Sequence, residues 1–123
     1  MKIPTNYLPV MPYLIVNNAK GFLSFAKEVF EATEQLIVPS ESGQIMHGEI
    51  RIGDAVIMFA QATEDWKSKS AGMFLYVENL DKVYQAAVDH EVTVLMPPET
   101  KDYGYTAGFE DHFGNQWWIA QGE

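Results

Sequence analysis

The alternation of apolar and polar positions divides the chain into one pattern read twice. Tyr13 to Val16 is a short apolar run that reads as a strand, and Asn17 or Asn18 behind it is a good N-cap for a helix. That helix runs roughly from Ala19 to Ala32, because Phe22, Phe25, Ala26, Val29 and Phe30 recur at helical spacing and make one apolar stripe. Leu36 to Pro39 reads as a strand ending at its proline and Ser40 to Gly43 as a turn by composition. Gln44 to Ile52 follows as a strand, Gly53-Asp54 as a turn and Ala55 to Ala60 as another strand. Gln61 to Ser70 is polar and poor in helix formers, so it reads as a linker in which Trp66 is the oddity. The order then repeats. Met73 to Val77 is a strand and Asn79 a cap, and Leu80 to Glu91 is a helix with Leu80, Val83, Tyr84, Ala87 and Val88 on one face. Val92 to Met96 is a strand stopped by Pro97-Pro98, and Tyr105 to Glu110 pairs with Gln116 to Ala120 as a last hairpin.

The repetition is also visible residue by residue. Ile52-Gly53-Asp54-Ala55-Val56-Ile57 lies 61 positions before Phe113-Gly114-Asn115-Gln116-Trp117-Trp118, and the same offset carries Val16-Asn17-Asn18 onto Val77-Glu78-Asn79. In the second hairpin, Asp111 can bond its own backbone, while Gly114 and Asn115 tolerate positive φ. Trp117 and Trp118 then face opposite sides of their strand, so one can anchor a core and the other can floor a cavity. The predicted class is α+β, a single domain over 1–123 made of two tandem βαβββ units. Unit one spans about 9–62, the linker about 61–70 and unit two about 71–121. Each helix covers one sheet face and leaves the other for the second unit or a ligand.

With 123 residues, 47% hydrophobic and 20% charged, the chain is long enough for a real core and globular in composition. It has no apolar run of about 18 residues and no apolar leader, so the expectation is a cytoplasmic protein without a membrane span. The absence of cysteine excludes disulfides, thiolate metal sites and a cysteine nucleophile. A net charge of −9, from 8 Lys+Arg against 17 Asp+Glu, suits neither a phosphate backbone nor an anionic membrane. It can steer a cationic ligand or serve solubility alone.

The duplicated order, the His47-to-Asp54 strand (His-Gly-Glu-Ile-Arg-Ile-Gly-Asp) and the Asp111-to-Trp118 ending, with His112 where relatives have proline, resemble the vicinal oxygen chelate superfamily. That superfamily includes glyoxalase I, extradiol dioxygenases and bleomycin resistance proteins, and small PhnB-like members look nearest. The resemblance implies an open, cleft-bearing mixed β-barrel and, commonly, a homodimer. In metal-using members four ligands come from matching places in the two units. Carried onto this chain, these fall near Met11 and Gly72 on the first strands, and at Ile57 or Met58 and Trp118 on the last. None offers a carboxylate or imidazole, so the expectation is no metal and no cofactor.

The remaining polar chemistry lies on one strand. His47, Glu49 and Arg51 alternate away from Met46, Ile50 and Ile52, and an apolar face beneath a helix would leave them in a cleft. There they can orient a small polar ligand, with His47 as general base and Glu49 beside it as the candidate catalytic pair. A solvated face of ion pairs explains the same pattern, and a displaced metal held by His47 and Glu49 is a third reading. Trp118, taking the place of a metal ligand, can wall a site for an aromatic or cationic ligand. Trp66, Tyr103 and Tyr105 lie in loop-like stretches where aromatics line ligand sites or dimer contacts. His90, at a helix end, and His112, in a turn, read as structural. The leading expectation is a metal-independent small-molecule-binding protein that can sequester a ligand or drug in the manner of a resistance protein. The alternatives are a glyoxalase-like lyase or isomerase using His47, and an interaction module without a ligand. No nucleic-acid motif is present.

Overall fold

In the computed structural model, which describes residues 1–123, each half of the chain lays one helix on a four-stranded sheet. The first unit holds β1 (Tyr13–Val16), α1 (Ala19–Phe30), β2 (Thr33–Pro39), β3 (Ile45–Ile52) and β4 (Ala55–Gln61). The second holds β5 (Gly72–Val77), α2 (Leu80–Asp89), β6 (Thr93–Lys101), β7 (Gly104–Glu110) and β8 (Gln116–Gln121). The fold is α+β with two βαβββ units, and the chain divides into Met1–Lys69 and Ser70–Glu123. The sheet orders are β1-β4-β3-β2 and β5-β8-β7-β6, with the first strand of each unit parallel to the last.

The two units are built with the same caps. Asn18 accepts a bond from the Gly21 amide at 2.9 Å, and Asn79 accepts one from the Lys82 amide at 3.2 Å. A second device was not foreseen. Gln61 at the end of β4 accepts from the Ala19 amide at 2.9 Å, and Gln121 at the end of β8 accepts from the Leu80 amide at 3.0 Å. Each helix therefore has a further orphan N–H satisfied by the last strand of its own unit. The register also refines the repeat. Tyr13 pairs with Met58 and Phe74 with Trp118. The offset of 61 thus holds for the first strands and caps but becomes 60 on the last strands, which makes Met58, not Ile57, the counterpart of Trp118.

Several boundaries differ from the expectation. Pro97-Pro98 does not stop its strand, because β6 is an edge strand whose outer N–H groups need no acceptor, and a register shift between Met96 and Glu99 absorbs the prolines. α1 ends two residues early, with Glu31 in the left-handed region at φ 55°. β2 starts at Thr33 rather than Leu36. The expected linker is fastened to the first unit: the Lys69 amide bonds the Ile15 carbonyl at 3.1 Å, and the Thr63 amide bonds the Trp66 carbonyl at 2.8 Å.

Phe22, Phe25, Ala26 and Val29 of α1 are buried together with Leu14, Val16, Ile50 and Phe59, as the apolar stripe requires. The Phe22 and Phe59 rings lie 5.1 Å apart, so the sheet face carrying Phe59 is the one beneath α1. In the second unit Leu80, Ala87, Ala107, Phe109, Trp117 and Ile119 are buried. Trp117 is therefore the core tryptophan, and Trp118 alternates to the other face. Each sheet sets a glycine opposite an aromatic ring. A Cβ on Gly48 would meet the Phe59 ring at 2.4 Å, and one on Gly108 would meet Trp118 at 2.2 Å. Phe59 is held between Gly48 and Phe22, whereas Trp118 is only half-buried and can turn away. Gly48→Ala is therefore expected to cost about 2–3 kcal/mol and Gly108→Ala about 1 kcal/mol. Urea unfolding of both variants checks the order, and a larger loss for Gly108→Ala would refute it.

Candidate functional site

β3 positions the polar row. Gly48 pairs with Phe59 on the α1 side, so alternation sends His47, Glu49 and Arg51 to the opposite face. The register places Tyr13 and Met58 in line with Glu49, which brings the Tyr13 side chain to that same face. His47 Nε2 lies 2.7 Å from Glu49 Oε2, and the Tyr13 hydroxyl lies 3.1 Å from His47 Nδ1. Glu49 Oε1 accepts from the Tyr7 hydroxyl at 2.7 Å and from Gln35 Nε2 at 3.1 Å. Arg51 Nη1 donates to Gln35 Oε1 at 3.1 Å. One continuous chain of bonds thus runs from Tyr13 through His47, Glu49 and Gln35 to Arg51.

Three residues of this network, Gln35, Tyr7 and Tyr13, were not singled out by the sequence pattern. Between Glu34 and Leu36 the β2–β3 register slips, so Gln35 is the extra residue of a β-bulge. A bulge re-aims a side chain, and here it turns the Gln35 amide between Glu49 and Arg51. Tyr7 arrives from the segment before β1, where the Asn6 carbonyl accepts a second bond from Gln35 at 3.3 Å. Alternation could have found Tyr13, since Leu14 and Val16 are buried on the other side. Nothing in periodicity marks a bulge or a returning terminal segment.

Glu49 is 3% exposed. Burial by itself pushes its carboxyl pKa up, but the bonds from His47, Gln35 and Tyr7 outweigh this, and the net shift is downward. Glu49 is accordingly held as a buried carboxylate with both oxygens engaged. The same bond favours the Tyr7 phenol over the phenolate and raises the Tyr7 pKa. An ionised Glu49 can only accept, so His47 presents Nε2–H to it. Nδ1 of the neutral ring is then left to accept from Tyr13.

Beside this row the first unit carries a pocket of about 720 Å³. Tyr13, Ile15, Ile45, Met46, Ala60 and Trp66 supply apolar wall, and Ser40, Ser42, Gln44 and Thr63 are among its neutral polar groups. No lining residue carries a formal charge, and Tyr13 is the one lining residue with a titratable side chain. His47, Glu49 and Arg51 are not among the lining residues. They stand behind Tyr13, which belongs to both the pocket and the hydrogen-bonded chain.

The structure places the remaining candidates as follows. Trp66 lines the pocket with 71% of its surface exposed. Trp118, Tyr103 and Tyr105 belong to the second unit. Trp118 lies across from Gly108, on the face opposite Trp117. Tyr103 is exposed in the turn before β7. Tyr105 sits on a strand rather than in a loop, and its hydroxyl is engaged by Asp81 of α2 at 2.6 Å, which raises its pKa. The His112 ring bonds the His90 carbonyl at 2.8 Å, a structural use.

The chemistry of Met11, Met58, Gly72 and Trp118 does not fit a divalent ion. Thioether sulfur suits soft metals, glycine has no side chain, and an indole N–H only donates. No three His, Asp or Glu side chains group closely enough to form another metal site. No helix is long and apolar enough to cross a membrane.

Known proteins agree with this architecture. An uncharacterized protein of Mycobacterium bovis is 26% identical over 122 residues, covering 89% of this chain and 80% of its own. The PhnB protein of Bacillus cereus superposes with a TM-score of 0.76 at 13% identity, over 94% of this chain and 100% of its own. The fosfomycin resistance protein FosX of Mesorhizobium loti superposes with a TM-score of 0.68 at 17% identity, over 95% and 92%. Residues 8–119 match a single family model, and the chain belongs to the Glyoxalase/Bleomycin resistance protein/Dioxygenase superfamily.

Proposed function

We propose that the protein binds an uncharged, largely apolar small molecule in the pocket of its first unit, without a metal ion or other cofactor. The observation that carries this reading is the lining: aromatic and aliphatic walls, neutral polar groups and no formal charge. A cationic drug would find no carboxylate there, and an α-keto acid would find no guanidinium, since Arg51 is bonded to Gln35 behind the wall. Sequestration of a neutral aromatic compound is therefore favoured over the cationic and acidic ligands that net charge and Arg51 suggested. The reading includes a cytoplasmic homodimer, because edge strands β2 and β6 need covering. Sedimentation velocity, which would show only the 13.9 kDa species if pairing failed, tests the dimer.

Titration with N-phenyl-1-naphthylamine, an acridinium cation and 2-naphthoate separates the ligand classes. The neutral probe is expected to bind most tightly, and Trp66→Ala is expected to weaken it about tenfold, the equivalent of ~1.4 kcal/mol of lost ring contact. Preference for either charged probe, or indifference to Trp66→Ala, would overturn the reading. A second reading, an isomerase or lyase using His47 as acid and base, is favoured by one observation: the imidazole sits between a buried carboxylate and a pocket hydroxyl.

A further inference from the structure

We propose that Tyr13 is the proton-transferring residue of this pocket, with His47 and Glu49 as positioning residues behind it, and that it acts on an uncharged carbonyl compound bearing a transferable α-hydrogen. This rests on the pocket reading above. Tyr13 is the one titratable side chain facing the cavity, and its hydroxyl points to the one imidazole of the first unit. That imidazole is fixed at its far nitrogen by a carboxylate that is buried and saturated with donors. The order phenol, imidazole, carboxylate is the order in which a weak oxygen acid is activated by a base that a third group orients. The groups bonded to His47 are Tyr13 from β1 and Glu49 on its own strand; Tyr7 from the leading segment and Gln35 from β2 bond Glu49, and Arg51 bonds Gln35. Of these, only Tyr13 reaches the pocket.

The proton path balances without a co-reactant. The Tyr13 O–H bond breaks and its proton passes to His47 Nδ1. The phenolate oxygen then takes the substrate's α-proton. The C–H pair becomes the new C=C bond, and the carbonyl π pair moves onto oxygen, giving an enolate. His47 then gives the proton on Nδ1, through a water molecule, to the enolate oxygen, so that the imidazole returns to its neutral form and Tyr13 keeps the proton taken from carbon. Glu49 keeps its charge throughout and stabilises the transient imidazolium. The net change is keto–enol isomerisation, with no oxidation. A neutral substrate is required because the pocket offers no counter-charge to an anionic one, and the enolate's charge is matched by the imidazolium behind Tyr13.

Benzoylacetone, a neutral aryl diketone, is the probe. Its binding is measured by calorimetry, and its enol-to-keto relaxation after dilution into buffer is followed by absorbance. The protein is expected to accelerate the relaxation, and Tyr13→Phe, which removes only an exposed hydroxyl, is expected to lose about 100-fold or more of that acceleration. Binding by Tyr13→Phe should stay within about threefold of the original. Glu49→Gln and His47→Gln should lower the rate without abolishing binding. Glu49→Gln should lower the rate far more than it weakens binding, a split that mere loosening of the fold does not produce. Bound benzoylacetone that relaxes no faster than in buffer, or equally fast with Tyr13→Phe, overturns the proposal and leaves the pocket reading standing. Failure of benzoylacetone to bind while N-phenyl-1-naphthylamine binds overturns the proposal alone; failure of both neutral probes removes the pocket reading with it.

Discussion

Asp111→Ala is expected to cost the protein about 3–5 kcal/mol, the largest loss from any single side chain outside the apolar core, because several buried donors would be orphaned together. The carboxylate sits at the mouth of the β7–β8 hairpin and is itself buried. One oxygen accepts from the Phe113 amide at 2.8 Å and from the Asn115 amide at 2.9 Å. The other accepts from the Asn115 side chain at 3.3 Å and from the indole nitrogen of the core Trp117 at 2.8 Å. Truncation leaves these donors facing a cavity, and Asn115 is fully enclosed. It also loosens the bond from the Ala71 amide to Asn115, at 3.2 Å, which ties the start of β5 to this turn. Asp111→Asn keeps one acceptor oxygen for two of the donors and should cost about half as much. Urea unfolding with matched m-values measures both, and a loss below about 1 kcal/mol for Asp111→Ala would show that water replaces the carboxylate.

The Asp111 turn shows how far a sequence reaches. Asp-x-x-Gly-Asn between two apolar runs announces a hairpin, and Gly114 does take positive φ, at 87°. Asn115 does not; it is spent on bonds to Asp111 and Ala71. Local chemistry therefore located the turn, while the use of each polar atom depended on chain that lies far away in sequence. The same division holds for the elements. Both helices and the inner strands were legible because their burial imposes a period on side chains, as the α1 stripe shows. The strands that follow the helices hold no fully buried residue, so β2 began early and β6 ran through Pro97-Pro98. The caps at Asn18 and Asn79 were legible as residue types. The glutamines at 61 and 121 were not, because their partners are about forty residues distant.

For the candidate site, alternation alone put His47, Glu49 and Arg51 on one face. It assigned Arg51 to the ligand, however, whereas the Gln35 bulge takes it up. It also left Tyr13, which links the row to the cavity, as an ordinary strand residue. The neutrality of the pocket was beyond reach. It arises only when the turn after β2, the end of β4 and the segment holding Trp66 converge, and net charge says nothing about which side chains meet there.

Glu49→Ala is expected to lower stability by about 2–4 kcal/mol at pH 7, and the difference from the unaltered protein is expected to shrink as the solution is acidified. Three donors converge on a carboxylate that water barely reaches, and removing it strands Tyr7, Gln35 and His47 at once. The pH dependence follows from the direction of the Glu49 shift. Its folded pKa lies below the ordinary glutamate value of 4.5, so between those two values the unfolded chain binds the extra proton. Its stabilising contribution is therefore fully present above that value and is lost as pH falls through the folded pKa. Other carboxylates also weaken the fold in acid, which is why the difference between the two proteins carries the information rather than either curve alone. Urea midpoints at pH 7, at the ordinary glutamate value and one unit below it, with m-values compared at each, give that difference. A gap that stays constant across the series would mean that Glu49 acts through packing alone. A gap that widens in acid would mean that the carboxyl is protonated more readily in the folded protein, and that the bonds from His47, Gln35 and Tyr7 do not overcome its burial.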